Sequence, residues 1–560
     1  MDDTYSKNDI FKMRRFLHLS SNYCSTQIIG KRMLSLNSLL STQLAYGKEI
    51  NDSKYDGVIV VSHSSKEISK FPKLAALAKP IEEFSQHHTG FEKSQANLII
   101  VDKEIIPSGR LIYSATGSVS KDFEDVRKFK TAGLNAIKLA MDAGMKKPLF
   151  TTIPYDEFPR SEIISALGAI NGLYTPLNIR DTLEGNFKAK LEELSFIGNK
   201  QLTTEQLHNI ILAFGYSMSV CNDIGDSDPQ RMTPAKAAEY VDKLFGGSDS
   251  AVKVKVESDM EVIKKNYPCM AAVNRCANDV PEHRARLIWL EYDNDEPNGQ
   301  AKETLMFVGK GVTIDTGGLN IKTGANMKGM CRDKTGAANV AGFFAALNLL
   351  RPKNIKVVGY MCMVRNSVGS NAYSCDEILT ARSGKRIHIY NTDAEGRLAM
   401  LDPLTEMREK AINEVNPHIF TFATLTGHEM MCYGEYAAVM DNGPAAKSGA
   451  SRKLQETGDE YGQPLEISRI QPEDFHTHDS EFEGADICQL STKHSPKRGH
   501  QGAACFLMRG SLIVDHGSTD NQPLKYTHVD LAGPNGNFPK NSYPNPLVTL
   551  IGHYIIPRSG

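Results

Sequence analysis

The 560-residue chain lacks an excess of either charge, because its formal net charge at pH 7 is −2. Nucleic-acid and membrane surfaces usually attract basic proteins, so this balance gives no reason to expect either partner. Cysteine is sparse, and the ten cysteines form no C-x-x-C pair, which argues against a disulfide framework and favours reduced thiols inside the cell. No apolar run of about 18 residues is present, so no transmembrane helix is expected.

Three common catalytic signatures are also absent from the sequence. There is no H-E-x-x-H, which excludes a zincin. There is neither a G-x-S-x-G nucleophile elbow nor a G-x-x-x-x-G-K-[ST] phosphate loop. The pairs His87-His88 and His476-x-His478 have no further obvious metal ligands, and we interpret them as surface histidines.

The length of the chain indicates two domains. We expect an N-terminal extension at 1–45, an α/β domain at 46–200, a linker helix and junction at 201–235, and a second domain at 236–560. The segment Ile10–Lys48 has no acidic residue and several basic ones, which is typical of a mitochondrial targeting segment. The acidic residues before it argue against that interpretation, so we expect a cytoplasmic protein and keep the mitochondrion as the alternative.

The first half contains short β-branched runs, which predict strands, and one segment whose apolar residues recur at helical spacing. The predicted strands are Gly57–Ser62, Asn97–Val101, Arg110–Tyr113 and Pro148–Ile153. The apolar spacing between Lys121 and Gly144 predicts a helix, and Gly144 is a typical stop. A further helix is predicted at Thr203–Cys221, and the polar stretch Asn222–Pro234 after it marks the expected domain junction.

Strands alternate with helices in the second half. The predicted strands are Thr304–Val308, Ile355–Val364, Arg386–Tyr390 and Ile419–Ala423, and the predicted helices are Gly336–Leu350 and Gly396–Lys410. This alternation indicates a mostly parallel sheet with both faces covered. Ligands of such sheets bind where loops leave the carboxyl ends of strands. Lys310, Asp393 and Thr424 each follow a predicted strand closely.

Charged residues accumulate beside these apolar elements. Taken singly, Asp393 would be interpreted as a helix cap. Lys310 and Lys322 would be interpreted as surface lysines. Four carboxylates that converge would repel one another unless cations held them. They are Asp315, Asp333, Asp393 and Glu395. Carboxylates are hard oxygen donors, and bridging carboxylates hold two divalent ions about 3.5–4 Å apart.

Two segments resemble the signatures of the leucine aminopeptidase family, peptidase family M17. They are V-G-K-G-V-T-I-D-T-G-G-L-N-I-K at Val308–Lys322 and N-T-D-A-E-G-R-L at Asn391–Leu398. The resemblance is strong over Asn266–Gly427 and weak before residue 200. It implies a smaller N-terminal macro-like α/β domain and a C-terminal catalytic α/β domain with a central mixed, mostly parallel sheet. It also implies a homohexamer.

The resemblance carries roles over to matching positions. The implied metal ligands are Lys310, Asp315, Asp333, Asp393 and Glu395. They would hold two divalent ions per subunit, usually zinc, with manganese or magnesium at the looser site, and Asp315 and Glu395 would bridge them. Lys322 would polarise the scissile carbonyl. Arg397 would hold a bicarbonate ion that acts as the general base.

Substrate-binding positions follow from the same resemblance. They are Met330, Thr424, Leu425 and Gly427. Two neighbouring positions depart from the family pattern. Lys334 is expected to add a charge beside the site, and His428 stands where a small residue is usual. These departures leave the preferred substrate residue open.

The expected activity is removal of the N-terminal residue, leucine or another apolar one, from short peptides. A dipeptidase that acts on Cys-Gly is an alternative within the same class. A structural relative that has lost its activity is the alternative from another class. Metal ligands should be the first residues to decay in such a relative, and all five are present here. DNA binding, known for some members, has little support at a net charge of −2.

Overall fold

The computed structural model describes residues 41–183, 186–199, 202–293, 301–491, 497–536 and 538–559. These residues form a six-stranded sheet in the first half, and an eight-stranded and a three-stranded sheet in the second. The predicted fold class, a two-domain α/β protein with a larger mixed sheet, is confirmed. Among the described residues, no helix combines the length and apolar character needed to cross a membrane.

The N-terminal sheet has the strand order β1-β6-β5-β2-β4-β3. Its strands are β1 (Gln43–Tyr46), β2 (Val58–Ser62), β3 (Ala96–Ile100), β4 (Arg110–Ala115), β5 (Leu149–Thr152) and β6 (Glu193–Ile197). All neighbours are parallel except β3 with β4, and the four predicted strands correspond to β2 to β5. β1 begins inside the expected N-terminal extension, because it pairs with β6 from Gln43 onward. Residues 1–40 of that extension lie outside the described residues.

Two helices of the first half pack closely against each other. The helices here are Ala78–His87, Arg127–Asp142, Ser161–Leu173 and Leu177–Thr182. The predicted helix before Gly144 is confirmed over Arg127–Asp142, and the φ of Gly144 is +69°, as a helix stop requires. A Cβ on Gly133 would lie 1.9 Å from the Ser165 carbonyl oxygen. Glycine at this position therefore permits the contact with the helix Ser161–Leu173.

A long helix, Thr204–Asp226, lies between the two halves and is buried along most of its length. The prediction that it ends at Cys221 was wrong. The helix continues because Asp223 is buried and accepts hydrogen bonds from the hydroxyl groups of Tyr174 and Tyr240. A buried polar residue with partners belongs to the core, so the polar composition of residues 222–226 did not mark a loop, and the loop begins only at Ser227.

The second half is built on the eight-stranded sheet, in the order β15-β14-β17-β13-β9-β10-β8-β7. The strands of this half are β7 (Val252–Glu257), β8 (Arg286–Asp293), β9 (Glu303–Asp315), β10 (Ile355–Asn366), β11 (Ile378–Thr380), β12 (Arg386–His388), β13 (Pro417–Ala423), β14 (Ala437–Asp441), β15 (Leu465–Ile467), β16 (Ile487–Cys488) and β17 (Lys525–Asp530). β9 has parallel neighbours on both sides, β10 and β13. The helices are Pro234–Phe245, Met260–Asn266, Pro268–Asn274, Thr335–Leu350, Glu395–Ala411, Gly427–Tyr433, Gly443–Ser448, Ala450–Glu460, Pro472–His476, Gly499–Gly510 and Leu547–Leu550.

The central strand β9 is longer than predicted. The sequence placed its end at Val308, but pairing with β10 continues to Asp315. Lys310 therefore lies within the strand rather than after it, between two glycines that make the sequence look like a strand end. A Cβ on Gly309 would lie 2.7 Å from the Cα of Ala337, so this glycine lets the following helix approach β9.

The predicted strand Arg386–Tyr390 does not join the main sheet. Its confirmed part, β12, belongs to the three-stranded sheet β11-β12-β16. The expectation that Asp393 follows a strand of the main sheet was wrong, because β12 pairs with β11 and β16 and with no strand of that sheet. Thr424 directly follows β13, as expected.

Candidate active site

Lys310 is the centre of a first group of buried charges. Its Nζ lies 2.7 Å from Asp333 Oδ1 and 2.8 Å from Glu395 Oε1. It also donates to the carbonyl oxygen of Thr424 at 2.9 Å. Gly396 gives the lysine its space, since a Cβ there would lie 2.3 Å from Lys310 Cε. A strand, a turn and a helix N-terminus thus meet around one ammonium group.

Lys322 joins a second pair of carboxylates. Its Nζ lies 2.7 Å from Asp315 Oδ2 and 2.5 Å from Asp393 Oδ1. Asp315, the last residue of β9, also accepts hydrogen bonds from the Gly317 N–H at 2.9 Å and from Asn366 Nδ2 at 2.7 Å. These contacts fix the orientation of the Asp315 carboxylate.

Thr392 stabilises the loop that follows β9 through two side-chain hydrogen bonds. Its Oγ1 donates to the Gly317 carbonyl oxygen at 2.6 Å and accepts from the Asn320 N–H at 2.8 Å. Gly317 and Gly318 have φ values of +84° and +62°, a left-handed conformation that favours glycine. Because Thr392 precedes Asp393, one residue positions both the loop that carries Lys322 and the Asp393 carboxylate.

The donor set fits divalent cations. Carboxylate oxygens of Asp315, Asp393 and Glu395 lie within 4.8 Å of one another. Glu395 Oε2 and Asp333 Oδ2 are buried and have no hydrogen-bond partner among the described residues. Buried carboxylate oxygens without partners are unfavourable, and cations satisfy them. Lys310 is a nitrogen donor in contact with the other oxygens of these two carboxylates, Asp333 Oδ1 and Glu395 Oε1.

The electrostatics of the carboxylate cluster also favour the binding of cations. Burial raises the pKa of Asp393 to about 6 and raises that of Glu395, and the charge of Asp315 adds to both effects. Burial raises the pKa of Asp333 well above its ordinary value. Burial opposes the charge on Lys310, but Asp333 and Glu395 outweigh it and hold the pKa of Lys310 above its ordinary value. A divalent ion at this place would relieve the repulsion and lower the pKa of Lys310.

A cavity of about 200 Å³ opens beside the cluster. Its lining residues are Asn391, Asp393, Ala394, Arg397, Leu425, Thr426, Gly427, Thr477, His478, Leu490, Ser491, Arg498, Gly499 and Gly502. Arg397 is buried and donates through Nη1 to the Gln489 carbonyl oxygen at 2.9 Å. Its Nε has no partner within the described part of the chain, and burial lowers its pKa to about 10. A buried guanidinium with an unused donor is suited to binding an anion.

The structure places two of the four predicted substrate-binding residues in the cavity lining and two outside it. Leu425 and Gly427 line the cavity. Thr424 lies beside the carboxylate cluster and donates from Oγ1 to Asp333 Oδ1 at 2.7 Å. Met330 is half-buried at the start of the turn that leads to Asp333, and it is not part of the cavity lining.

Some residues that hold the site were not identified from the sequence. Asp530, the last residue of β17, accepts a hydrogen bond from the Leu425 N–H at 3.0 Å. Gln489 accepts from the Asn391 N–H at 3.0 Å through its side chain and from Arg397 through its carbonyl oxygen. No sequence motif includes these positions. Their role in holding the site becomes apparent only from their buried hydrogen bonds in the structure.

The structure refines one interpretation of a single side chain and contradicts another. Lys334 lies beside the site and interacts electrostatically with Asp333, but its buried Nζ donates to the carbonyl oxygens of Ser227, at 2.8 Å, and of Cys331. His478 is not a surface histidine, since it is 1% exposed, lines the cavity and contacts the Cys488 carbonyl oxygen through Nδ1 at 2.9 Å. Sequence spacing alone carries no information on such burial.

Comparisons with known proteins agree with this architecture. The family model described as "Cytosol aminopeptidase family, catalytic domain" matches residues 219–548. The Caenorhabditis elegans protein named "Putative aminopeptidase W07G4.4" is 51% identical over 531 residues, which cover 94% of this chain and 100% of that protein. A "Probable cytosol aminopeptidase" of Aquifex aeolicus is 31% identical over 324 residues, 58% of each chain.

Solved structures share the fold at low sequence identity. Leucyl aminopeptidase from Trypanosoma brucei, solved with bestatin, has a TM-score of 0.73 at 19% identity and covers 95% of this chain and 99% of its own. A mutant of tomato leucine aminopeptidase has a TM-score of 0.72 at 20% identity, covering 91% and 96%. The fold and the matched family define a metal-dependent hydrolase. The chain belongs to the cytosol aminopeptidase family and is a metallo-aminopeptidase.

Proposed function

We propose that the protein is a two-metal aminopeptidase that removes an N-terminal residue, leucine or another apolar one, from short peptides. The observation that carries this proposal is the cluster of four carboxylates around two lysines, with two buried carboxylate oxygens that have no hydrogen-bond partner among the described residues. Family membership fixes the reaction class. The number of ions and the substrate preference are the parts proposed here.

The ligands of the two ions are five side chains. They are Lys310, Asp315, Asp333, Asp393 and Glu395. Both ions would use Asp315 and Glu395, and zinc is the expected ion, with manganese or magnesium at the looser site. When bound, the two ions would supply a water molecule of lowered pKa and a binding site for the free α-amine of the peptide, which would restrict cleavage to the first residue.

Lys322 and Arg397 complete the machinery. The Lys322 ammonium would donate to the scissile carbonyl oxygen, where negative charge develops. Arg397 holds a bicarbonate ion through charge-assisted hydrogen bonds and so keeps a general base beside the cavity. The unused Nε of Arg397 and its burial support this role.

The substrate lies along the loop after β13. Thr424, Leu425 and Gly427 bind the peptide, with the Leu425 backbone held in place by Asp530. Met330 lies outside the cavity lining but three residues before Asp333, and we propose that it forms a wall for the first side chain beside the carboxylate cluster. A preference for Cys-Gly dipeptides is the alternative within the same reaction.

Assembly and location are inferred from the family resemblance. We propose a homohexamer in the cytoplasm, in keeping with relatives that are named cytosol aminopeptidases. Import into mitochondria is the alternative, and it depends on the N-terminal segment, of which residues 1–40 lie outside the described residues.

Hydrolysis of leucine-p-nitroanilide tests the proposal. We expect zinc- or manganese-dependent release of p-nitroaniline by the full chain, and its loss in Asp393→Ala. Asp142→Ala, which removes a carboxylate at the end of a helix remote in sequence, is the control and should keep full activity. Failure of the full chain to release any product with either metal, across a panel of first residues, would refute the proposal and favour a structural relative without activity.

A further inference from the structure

A second group of metal-binding side chains lies outside the carboxylate cluster. His428 Nδ1 is 2.8 Å from His500 Nδ1, and Cys432 Sγ is 3.7 Å from each ring nitrogen of His428. One ligand atom from each of the three residues lies within 4.8 Å of the others. The proposed aminopeptidase reaction uses none of these side chains.

Two helices bring these ligands together. His428 and Cys432 are four residues apart on the helix Gly427–Tyr433, so their side chains share one face. His500 is the second residue of the helix Gly499–Gly510. Paired ligands at this helical spacing, completed by a residue from another element, are a common way to build a zinc site.

Ser468 orients the buried ring of this group. Its Oγ lies 2.8 Å from His500 Nε2 and accepts a hydrogen bond from Gln501 Nε2 at 2.8 Å. In the tautomer with the proton on Nε2, His500 donates to Ser468 and directs the lone pair of Nδ1 toward His428. Histidines that ligate metals usually donate their other N–H in this manner. His500 is 1% exposed while Cys432 is exposed, so a fixed ligand is combined with access from solvent.

We propose that His428, Cys432 and His500 bind one zinc ion, separately from the carboxylate cluster. Zinc binds imidazole nitrogen at about 2.0–2.1 Å and thiolate sulfur at about 2.3 Å in tetrahedral geometry. These lengths place two ligand nitrogens about 3.3 Å apart, so the two Nδ1 atoms must separate by about half an ångström. Nitrogen and sulfur donors suit zinc, whereas manganese and magnesium prefer oxygen donors such as carboxylates.

The proposed zinc site adjoins the active-site cavity. Gly427 and Gly499, which precede His428 and His500 in the chain, both line that cavity. Three protein ligands leave the fourth tetrahedral position open to water. His428, a departure from the family pattern, thus gains a physical role as a metal ligand.

Cobalt(II) is the probe for this site, because it replaces zinc and its thiolate complexes absorb in the near ultraviolet, which carboxylate and amine complexes do not. We expect titration of the metal-free full chain to give a thiolate band whose final intensity corresponds to one thiolate-bound cobalt per chain, while further cobalt binds at the carboxylate cluster. The band should disappear in Cys432→Ser and in His428→Ala, and persist in Cys276→Ser, which removes another partly exposed thiol. Melting temperatures near that of the wild type will show that the variants fold.

Absence of the thiolate band from the wild-type chain, or its persistence in Cys432→Ser, would overturn the proposal. The band and the hydrolysis assay report different ligands. Asp393→Ala is expected to abolish hydrolysis and keep the band, whereas Cys432→Ser is expected to lose the band and keep hydrolysis. Failure of the zinc site and failure of the aminopeptidase proposal are therefore distinguishable.

Discussion

Asn366 is expected to set metal affinity without being a ligand. Its Nδ2 donates to Asp315 Oδ1 at 2.7 Å and to the Thr392 carbonyl oxygen at 3.1 Å, and the side chain is 1% exposed. Asn366→Leu keeps most of the side-chain volume but removes both donors. A hydrogen bond to a charged group contributes about 1.5–3 kcal/mol. If that energy orients Asp315 for a cation, its loss weakens metal binding about 10- to 100-fold.

The assay is competition for zinc with a chromophoric chelator, followed by kcat at saturating zinc. We expect the dissociation constant to rise by that factor, while kcat largely recovers once zinc saturates the site. Thr313→Val is the matched control, because Thr313 is buried in β9 and donates to a backbone oxygen, the Val364 carbonyl at 3.2 Å, rather than to a carboxylate. The reasoning would be refuted if Asn366→Leu bound zinc with wild-type affinity and lost only as much stability as Thr313→Val.

Three further changes have expected outcomes. Gly396→Ala should place its Cβ 2.3 Å from Lys310 Cε, displace that lysine and lower kcat at least about 100-fold with a near-native melting temperature. Arg397→Leu should lower kcat by about 10² or more and abolish any stimulation by added bicarbonate. His528 is buried with its pKa lowered to about 3, so the unfolded state takes up its proton first as the pH falls below about 6.5, and stability is lost. His528→Asn should reduce this loss by about 2 kcal/mol at pH 5, seen as a smaller fall in melting temperature between pH 7.5 and 5.

Local pattern was sufficient for part of the fold. Apolar runs predicted β2 to β5, β10 and β13, helical spacing predicted the helix that begins at Arg127, and a nearly all-apolar segment predicted the helix that begins at Thr335. The charged residues of the cluster were identified because two motifs place them beside apolar strands. The structure brings all six of these lysines and carboxylates into contact as two linked groups.

What escaped prediction depends on contacts between distant parts of the chain. The length of β9 is fixed by pairing with β10, and flanking glycines hid this from the sequence. Asn366 and Asp530 hold the site from strand ends, where nothing in their own neighbourhoods distinguishes them. The contact of His428 with His500 joins residues 72 positions apart. Contacts between such distant residues cannot be predicted from the local sequence around either one.

Zinc content after equilibrium dialysis tests most directly whether the carboxylate cluster holds two ions. The Cys432→Ser chain is the right sample, because the proposed thiolate site then adds nothing to the count, and Asp333→Ala is measured beside it in the same background. We expect two zinc ions per Cys432→Ser chain, together with hydrolysis of leucine-p-nitroanilide. We expect fewer than two, and no hydrolysis, when Asp333→Ala is added. One ion or none in a Cys432→Ser chain that is fully active would contradict the two-metal proposal.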